Sequence, residues 1–398
     1  MAPTREVVRA RWGVTIMFWL NGVGFASLLP RYPELKANLG LGDLQWGLAV
    51  GLGPLGGLLA GLFTARLIRR HTSSTVTVVS AILGLACLSI YGNATHWAVF
   101  VLGILLMSAL DAFTDISMNS HGLRVQRLHG SSILNGFHGW WSVGAVCGGF
   151  LGSLAAQAQL PIWVQCLVAF VIFSGVALYA KTLLLKGPDT VVDPAPDASA
   201  APVGRGVARR WLPRLIALGL LGAFAGMIED SGASWGAVYM DSMFEVSPFL
   251  VGMAFVALQS VQVVGRFTGD ALTNRFGPRA AVTQGAIVAG VGMALAVAFP
   301  SPALTLVGFA CAGWGIATAI PMVMHAADEL PGMAAGNGLT FVSWLMRLGF
   351  FVSPPLIGLV ADSLTIRWAL IVIPVAALAM LALSPALTPP AKAASAVE

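Results

Sequence analysis

Long apolar runs separated by short polar segments recur along the whole chain. Each run holds roughly 18–24 residues, the length with which an α-helix crosses a ~30 Å hydrocarbon core. Because the runs are continuous and do not alternate, they exclude a membrane β-barrel. We place them at residues 12–30, 44–65, 75–92, 97–119, 132–156 and 160–181, and again at 213–240, 247–268, 279–299, 302–325, 334–358 and 366–386. The pattern predicts an all-α polytopic membrane protein with twelve transmembrane helices in two six-helix halves.

The segment between the two sets of runs has a different composition. "LLKGPDTVVDPAPDASAAPVGRGVARR" is rich in Pro, Ala, Gly and Asp and shows no helical or strand periodicity. These features are typical of a flexible linker. We therefore expect an N-terminal half at 1–185, a linker at 186–212 and a C-terminal half at 213–398.

Composition and charge support a membrane protein and add an orientation. The chain is 57% hydrophobic and 10% charged, with a mean hydropathy of +0.83, whereas soluble chains carry about 25% charged residues. With a cytoplasmic N-terminus, only Arg31, Lys36 and Arg367 would lie in outer loops, which satisfies the positive-inside rule. We expect cytoplasmic N- and C-termini in the cell (inner or plasma) membrane. The basic loops also explain the net charge of +5 without nucleic acid as a partner.

Carboxylates interrupt two of the apolar runs. In "DAFTDISMNSHG" (111–122), Asp111 and Asp115 are four residues apart and share one helix face. A carboxylate at mid-bilayer costs ~2.5–3.5 kcal/mol, so such residues usually face a cavity and mark a pathway. Because desolvation and a neighbouring acid both favour the protonated carboxyl, we predict that Asp115 is a proton-coupling group, with Asp111 and Glu229 as further candidates. The alternative is a protonated aspartate that only hydrogen-bonds a neighbouring helix.

Arg347 lies inside the eleventh predicted span and allows two interpretations. It could neutralise Glu229 or Asp230 as a structural ion pair. It could instead face a central cavity and bind a carboxylate or phosphate through two parallel hydrogen bonds. Other candidate substrate contacts are the uncharged polar side chains and one aromatic ring within the spans, namely Asn119, Asn21, Gln259, Gln262, Asn337 and Trp235.

Few features of the sequence indicate an enzyme. No nucleophile and base cluster together, and no metal-ligand spacing occurs, so we expect no enzyme activity, no cofactor and no metal. "GLGPLG" (51–56) and "GASWG" (232–236) match motifs of soluble enzymes, but both lie within predicted membrane helices. Their small residues are better explained by close helix contacts. The expected partners are a small-molecule substrate, protons and the lipid bilayer, and we expect a monomer.

The loops and the fourth and fifth spans resemble known families. "GLFTARLIRRH" resembles the G-x-x-x-D-R-x-G-R-R loop of the major facilitator superfamily, with Ala65 in place of the acid, and "DALTNRFGPR" repeats it in the second half. "DISMNSHG" and "FHGWWSVG" resemble a subfamily of bacterial inner-membrane permeases related to the fucose/proton symporters. This resemblance implies the major facilitator fold and gating by loop residues, here Arg66, Arg275 and Arg279. In the fucose symporters, the acid that corresponds to Asp115 takes part in proton coupling and sugar binding, four residues before an asparagine.

The combined pattern predicts a secondary active transporter. We expect it to move a small organic solute by alternating access about a site near the bilayer midplane, coupled to protons. The alternative is a proton-antiport exporter of drugs or metabolites. Export is favoured by the absence of the first-span acid of the fucose symporters from "NGVGFASLLP" and by a glycine pattern that partly resembles a drug/proton antiporter motif, Gly144, Gly148, Gly149 and Gly152.

Overall fold

The structure is a computed structural model that describes residues 4–131, 133–189, 205–331 and 337–388. Within these ranges the side chains of residues 135, 205–209, 270 and 337 are not described. All regular elements in the described ranges are helical. This agrees with the predicted all-α class.

The described part of the first half contains eight helices. They are α1 (Arg5–Ala26), α2 (Tyr32–Asn38), α3 (Asp43–Gly51), α4 (Gly53–His71), α5 (Ser73–Gly92), α6 (Trp97–His129), α7 (Leu134–Gln157) and α8 (Ile162–Leu183). A short 3-10 turn, Leu29–Arg31, precedes α2.

The described part of the second half contains ten helices. They are α9 (Arg205–Asp230), α10 (Gly236–Met243), α11 (Pro248–Val251), α12 (Met253–Phe276), α13 (Pro278–Ala298), α14 (Pro302–Ile316), α15 (Ala319–Asp328), α16 (Asn337–Ser363), α17 (Ile366–Ala369) and α18 (Val372–Leu383). A π-helical turn, Ser231–Trp235, joins α9 to α10. A 3-10 turn, Ser384–Leu387, follows α18.

Ten helical segments of the described chain are long and apolar enough to cross a membrane. The fifth and eighth predicted spans correspond to α7 and α12, which have 24 residues each but are not among those ten. The count of twelve spans therefore stays a prediction for these two helices. Helix α9 begins at Arg205, inside the segment predicted as linker, because a helix can continue beyond the apolar run that crosses the bilayer.

Glycines allow α1 and α7 to pack backbone against backbone. A Cβ atom at Gly144 would overlap the carbonyl oxygen of Trp19, and one at Gly148 would overlap that of Val23. The same holds one turn further on, where Gly152 lies against Ser27. These glycines recur every four residues and so share one face of α7, which is the small-residue contact typical of membrane helices.

The two enzyme-like motifs also lie at close helix contacts, as predicted. Gly56 of "GLGPLG" lies against the backbone of Leu105 in α6. Pro54 occupies the first turn of α4, where its missing N–H costs no helical hydrogen bond. In "GASWG", a Cβ atom at Gly232 would come within 2.6 Å of Leu258. The π-helical turn at this motif was not predicted, because hydrophobicity does not reveal a change in hydrogen-bond register.

The two halves meet along two pairs of helices. We call the end of the bundle that holds Arg5 the near end, and the end that holds Ala26 the far end. Helices α7 and α12 stay together over their length, with Gly139 against Phe267 and Ser153 against Gly252. Helices α3 and α16 pack closely towards the far end, whereas α4, which continues α3 towards the near end, has little contact with α16.

A side-chain cap reinforces the far-end contact. The Asp362 carboxylate at the end of α16 accepts hydrogen bonds from the backbone N–H groups of Asp43 and Leu44, both at 3.1 Å. These groups lie in the first turn of α3, where backbone donors lack partners within the helix. The second half therefore caps a helix of the first half. Gly47 packs against Pro354 beside this cap, so the far end is closed here.

Candidate substrate and proton site

A cavity of about 400 Å³ lies between the two halves, on the near-end side of the contact between α3 and α16. Eight of the predicted spans or their extensions contribute to its wall. The residues that line it are Phe25, Tyr32, Val50, Gly53, Pro54, Gly57, Tyr91, Ile104, Met107, Ser108, Asp111, Ala112, Asp115, Ile116 and Trp141 from the first half, and Glu229, Asp230, Ala233, Phe255, Gln259, Arg347 and Phe350 from the second.

Asp111 is held by a chain of hydrogen bonds that joins three helices. The Asn21 amide of α1 donates to Asp111 Oδ1 at 2.7 Å. Trp141 Nε1 of α7 donates to Asn21 Oδ1 at 2.6 Å. The indole thereby fixes the amide, and the amide orients the carboxyl group. Asn21 thus supports an acid of the cavity wall but does not itself line that wall.

Asp115 has its own support one turn further along α6. Asn119 Nδ2 donates to Asp115 Oδ1 at 3.0 Å and to the Asp115 carbonyl at 2.9 Å. The side-chain oxygen Oδ1 of Asn119 lies 3.1 Å from His138 Nε2 of α7. As an acceptor, it requires the tautomer that carries a proton on Nε2. In this conformation the Asn119 side chain, a predicted substrate contact, is therefore hydrogen-bonded to Asp115 and His138.

Glu229 is part of a polar bridge between the halves. Gln262 Nε2 donates to Glu229 Oε1 at 3.1 Å, and Arg266 Nη2 lies 3.7 Å from the same oxygen. Arg266 Nη1 also donates to Ser142 Oγ of α7 at 2.6 Å. Arg266 thus links an acid of the second half to the first half. The sequence analysis missed it as a site residue, although it lies four residues after Gln262 on the same helix face.

Asp230 occupies the last position of α9, directly before the π-helical turn. Ser234 Oγ, within that turn, donates to Asp230 Oδ2 at 2.9 Å. Tyr32 of α2 lies close enough to interact with Asp230 electrostatically. The π-helical turn therefore places a hydroxyl donor on the acid that enters the cavity wall, and such turns are frequent at functional sites.

Arg347 lines the cavity and is exposed. Among the described residues it forms no ion pair, because Glu229 is paired with Arg266 and Asp230 accepts from Ser234. The structural ion pair with either acid is thus not formed in this conformation. Its electrostatic interaction is instead with Asp115, from the other half.

Comparisons with known proteins agree with this architecture. Residues 220–398 match the sequence model of the Major Facilitator Superfamily. An uncharacterized MFS-type transporter of Yersinia pestis is 25% identical over 347 residues, which cover 87% of this chain and 88% of that protein. The C-terminal part of the chain therefore matches the major facilitator superfamily, and the chain as a whole is similar to a transporter of that type.

Solved structures share the fold of this chain. A bacterial homologue of the human lysosomal transporter Spinster has a TM-score of 0.77 at 16% identity, with 96% of this chain and 98% of that chain covered. The transporter FucP has a TM-score of 0.62 at 16% identity, with 97% and 100% covered. These likenesses support the predicted major facilitator fold. The superfamily consists of transporters and not of enzymes, as the sequence analysis expected.

Several predicted substrate contacts of the transporter lie behind the cavity wall. Trp235 is completely buried, and its Nε1 donates to the Pro354 carbonyl at 3.2 Å. Its ring is therefore buried, with Nε1 held by α16, and does not line the cavity. Gln262 contacts Glu229 and likewise does not line the cavity. Asn337 begins α16, but its side chain lies outside the described residues.

The three predicted gating arginines all lie near the near end and are exposed. Arg275 stands over the ring of its own neighbour Phe276, with its guanidinium carbon 5.2 Å from the ring centroid. Neither it nor Arg66 or Arg279 forms an ion pair with a residue of the described chain. This arrangement fits the small contact between α4 and α16, since the near end is not closed in this conformation.

Proposed function

We propose that the protein is a proton-coupled secondary transporter that carries a small organic solute through the central cavity by alternating access. The observation that supports it is the cavity between the halves, whose wall combines Asp111 and Asp115 of α6 with Arg347 of α16. Ionisable groups within membrane spans mark substrate and ion pathways. Major facilitator transporters bind small molecules at such a midplane site.

Asp115 is the proposed proton-coupling group, and Asp111 assists it. Both line the cavity, and their hydrogen-bond donors within the described chain are the neutral amides of Asn119 and Asn21. A neutral amide can bond either the charged or the protonated carboxyl, whereas a fixed cation would hold the charge permanently. The two acids can therefore load and release a proton as the cavity changes the end to which it opens.

Arg347 is the proposed solute ligand on the opposite wall. It lines the cavity without an ion pair among the described residues. A guanidinium group offers two parallel donors to a carboxylate or phosphate. We further propose that the protein lies in a bacterial inner membrane with its near end facing the cytoplasm, because the basic loops lie at the near end. We also propose that it works as a monomer.

Proton-driven export is the second candidate. The glycine stripe of α7, which partly resembles an antiporter motif, packs against α1 at Trp19 and Val23. On a neighbouring face, a Cβ atom at Gly149 would come within 3.0 Å of Val256 in α12. The helix that carries this stripe therefore joins both halves. The direction of transport decides between uptake and export.

The first experiment identifies the solute. Purified protein is screened by thermal shift against sugars, organic acids and organic cations. A solute that binds only the folded state stabilises it, by about 2.7 kcal/mol at 100 times the dissociation constant.

The second experiment tests the coupling with Asp115→Asn, which keeps the shape and the hydrogen bond of the side chain but cannot titrate. In proteoliposomes, this variant should lose accumulation driven by a pH gradient and keep solute binding or exchange. Glu245→Gln, which removes an exposed carboxylate at the far end, should behave as the unmodified protein. If the Asp115 variant still concentrates the solute in response to a proton gradient, the coupling role is wrong.

A further inference from the structure

Acidic groups outnumber basic groups in the wall of the central cavity. Four carboxyl groups line it, those of Asp111, Asp115, Glu229 and Asp230, against the single guanidinium of Arg347. Within the described chain, Glu229 is the one of these four acids that forms an ion pair, with Arg266 of the bridge between the halves, whereas Arg347 interacts with Asp115 without forming an ion pair. The other three have neutral hydrogen-bond donors: Asn21 at 2.7 Å from Asp111, Asn119 at 3.0 Å from Asp115, and Ser234 at 2.9 Å from Asp230.

Gln259 gives an independent indication of what the cavity binds. Its side chain is 1% exposed, and it lines the cavity from α12. Its Oε1 has no hydrogen-bond partner within the described chain. Leaving a buried acceptor without a donor costs free energy. A hydrogen-bond donor on the solute would remove this cost at Gln259 Oε1. The acids and Gln259 together favour a ligand that donates hydrogen bonds.

Aromatic rings lie beside these acceptors. The ring of Phe25 is 5.8 Å from that of Trp141 and 6.4 Å from that of Phe255, measured between centroids, and all three residues line the cavity. The faces of aromatic rings attract organic cations. A neutral polyol could satisfy the acceptors, but it could not replace a proton as the counter-charge of the acids.

We propose that the transported solute carries an ammonium group, which binds between the acids and Gln259 and displaces a proton when it enters. This inference rests on the proposed function, because it assigns a chemical class to the solute of the same cavity. The ammonium group takes the place of a proton on the acid wall, and the released proton leaves to the solution on the side from which the solute entered. Arg347 stays available for an anionic or acceptor group at the other end of the solute.

The expected pH dependence follows from the groups that face these acids. The charged or titratable ones are Arg347 of α16, Arg266 of α12, His138 of α7, Tyr32 of α2 and Tyr91 of α5. None of them supplies a second cation on the side of Asp230. Protons and the ammonium group therefore compete for the acids. As the pH rises, the affinity for the ammonium solute should increase by up to about tenfold per pH unit for each displaced proton.

The test uses three probes with the same phenyl skeleton and different charge: 2-phenylethylamine, 2-phenylethanol and 3-phenylpropionate. Their binding to the purified full-length protein is measured by calorimetry at about pH 6 and about pH 8, where an alkylamine is still cationic. We expect the amine to bind about tenfold or more tightly than the alcohol and the acid at the higher pH. We expect its affinity to fall by about tenfold or more at the lower pH.

Three variants connect the result to the cavity. Asp230→Asn should weaken binding of the amine by about tenfold or more, while the exposed Glu245→Gln should leave it unchanged. Gln259→Met, which fills the same space without an acceptor, should also weaken it and serves if the Asp230 variant does not fold. Neither Asp230 nor Gln259 is the proposed proton-coupling group, so these variants leave that proposal intact.

Two results would overturn the inference. If the alcohol or the acid binds as tightly as the amine, the solute is not selected for an ammonium group, although it can still bind in the cavity and the proposed function stands. If the amine does not bind at either pH, the acid wall is not an ammonium site. The proposed function fails on a different observation, continued proton-driven accumulation by Asp115→Asn.

Discussion

Arg347 is a cation on a membrane-spanning helix, and the described chain provides it with no ion pair in this conformation. Its interaction with Asp115 crosses the cavity between the halves. A solute that reached both groups would therefore contact both halves at once, and alternating access requires that contact. Two roles remain for the guanidinium, ligand of the solute or counter-charge for Asp115.

Substitution of Arg347 separates these roles. If Arg347 binds the solute, Arg347→Lys should weaken binding by about tenfold or more with folding unchanged, because the two parallel donors are lost. Solute affinity and thermal stability are measured on the same purified sample. If Arg347 is instead a structural counter-charge, Arg347→Ala should lower the melting temperature, and Arg347→Ala with Asp115→Asn should restore it. Restoration in the double variant would contradict the ligand role.

The sequence identified some of the site residues and missed others for a physical reason. Asp111 and Asp115 stood out because acids are rare within an apolar run. Arg266 did not, because it lies towards the end of a span, where an arginine ordinarily serves orientation. Its contacts with Ser142 and Glu229 depend on how α12 lies between α7 and α9, and hydrophobicity carries no information about that placement.

At the scale of elements, α1 and α7 form the closest pair in the first half that supports the site. Both Asn21 and Trp141 belong to this pair, so the position of Asp111 depends on the distance between the two helices. The glycines of α7 set that distance. The sequence marked these glycines only as a partial resemblance to an antiporter motif and could not say which helix they contact, since several membrane helices have suitable faces.

Two glycines of α7 allow a matched test of this contact. Gly144→Ala would place a methyl group on the carbonyl oxygen of Trp19, and overpacking of this kind costs about 1–3 kcal/mol. Gly136→Ala on the same helix meets no atom within 4 Å and should be neutral or gain up to ~1 kcal/mol, because alanine favours the helix. Labelling of the buried thiols of Cys87 and Cys166 during heating measures both. Equal melting temperatures for the two variants would contradict the contact.

The boundaries of the elements show the limits of hydrophobicity more generally. The fourth span was expected at 97–119, but α6 continues to His129, because an amphipathic segment stays helical beyond the bilayer core. The seventh span was expected as one helix, yet it changes to π-helical hydrogen bonding at Ser231. Apolar runs locate a span well. They do not show where its helix ends or which hydrogen bonds it forms.

At the scale of the whole molecule, the contact between α3 and α16 keeps the cavity closed at the far end. No sequence pattern indicated Asp362, because its partners are backbone groups more than three hundred residues away. Alternating access requires this contact to break when the cavity opens to the far end. The Asp362 cap should therefore influence the balance between the two open states.

Removal of the cap should favour opening at the far end. A helix cap is worth about 1 kcal/mol, so Asp362→Ala should raise the population that is open at the far end by roughly fivefold. A cysteine at Val50, which lines the cavity, can report this in a background in which Cys87, Cys147, Cys166 and Cys311 are replaced. A membrane-impermeant thiol reagent applied from the far side should label it about fivefold faster in the Asp362 variant, because the closed contact blocks the path of the reagent.

Glu245→Gln, which removes an exposed carboxylate at the same end, should leave the labelling rate unchanged. A rate that Asp362→Ala does not increase would mean that the packing of Gly47 against Pro354 closes the far end without the cap.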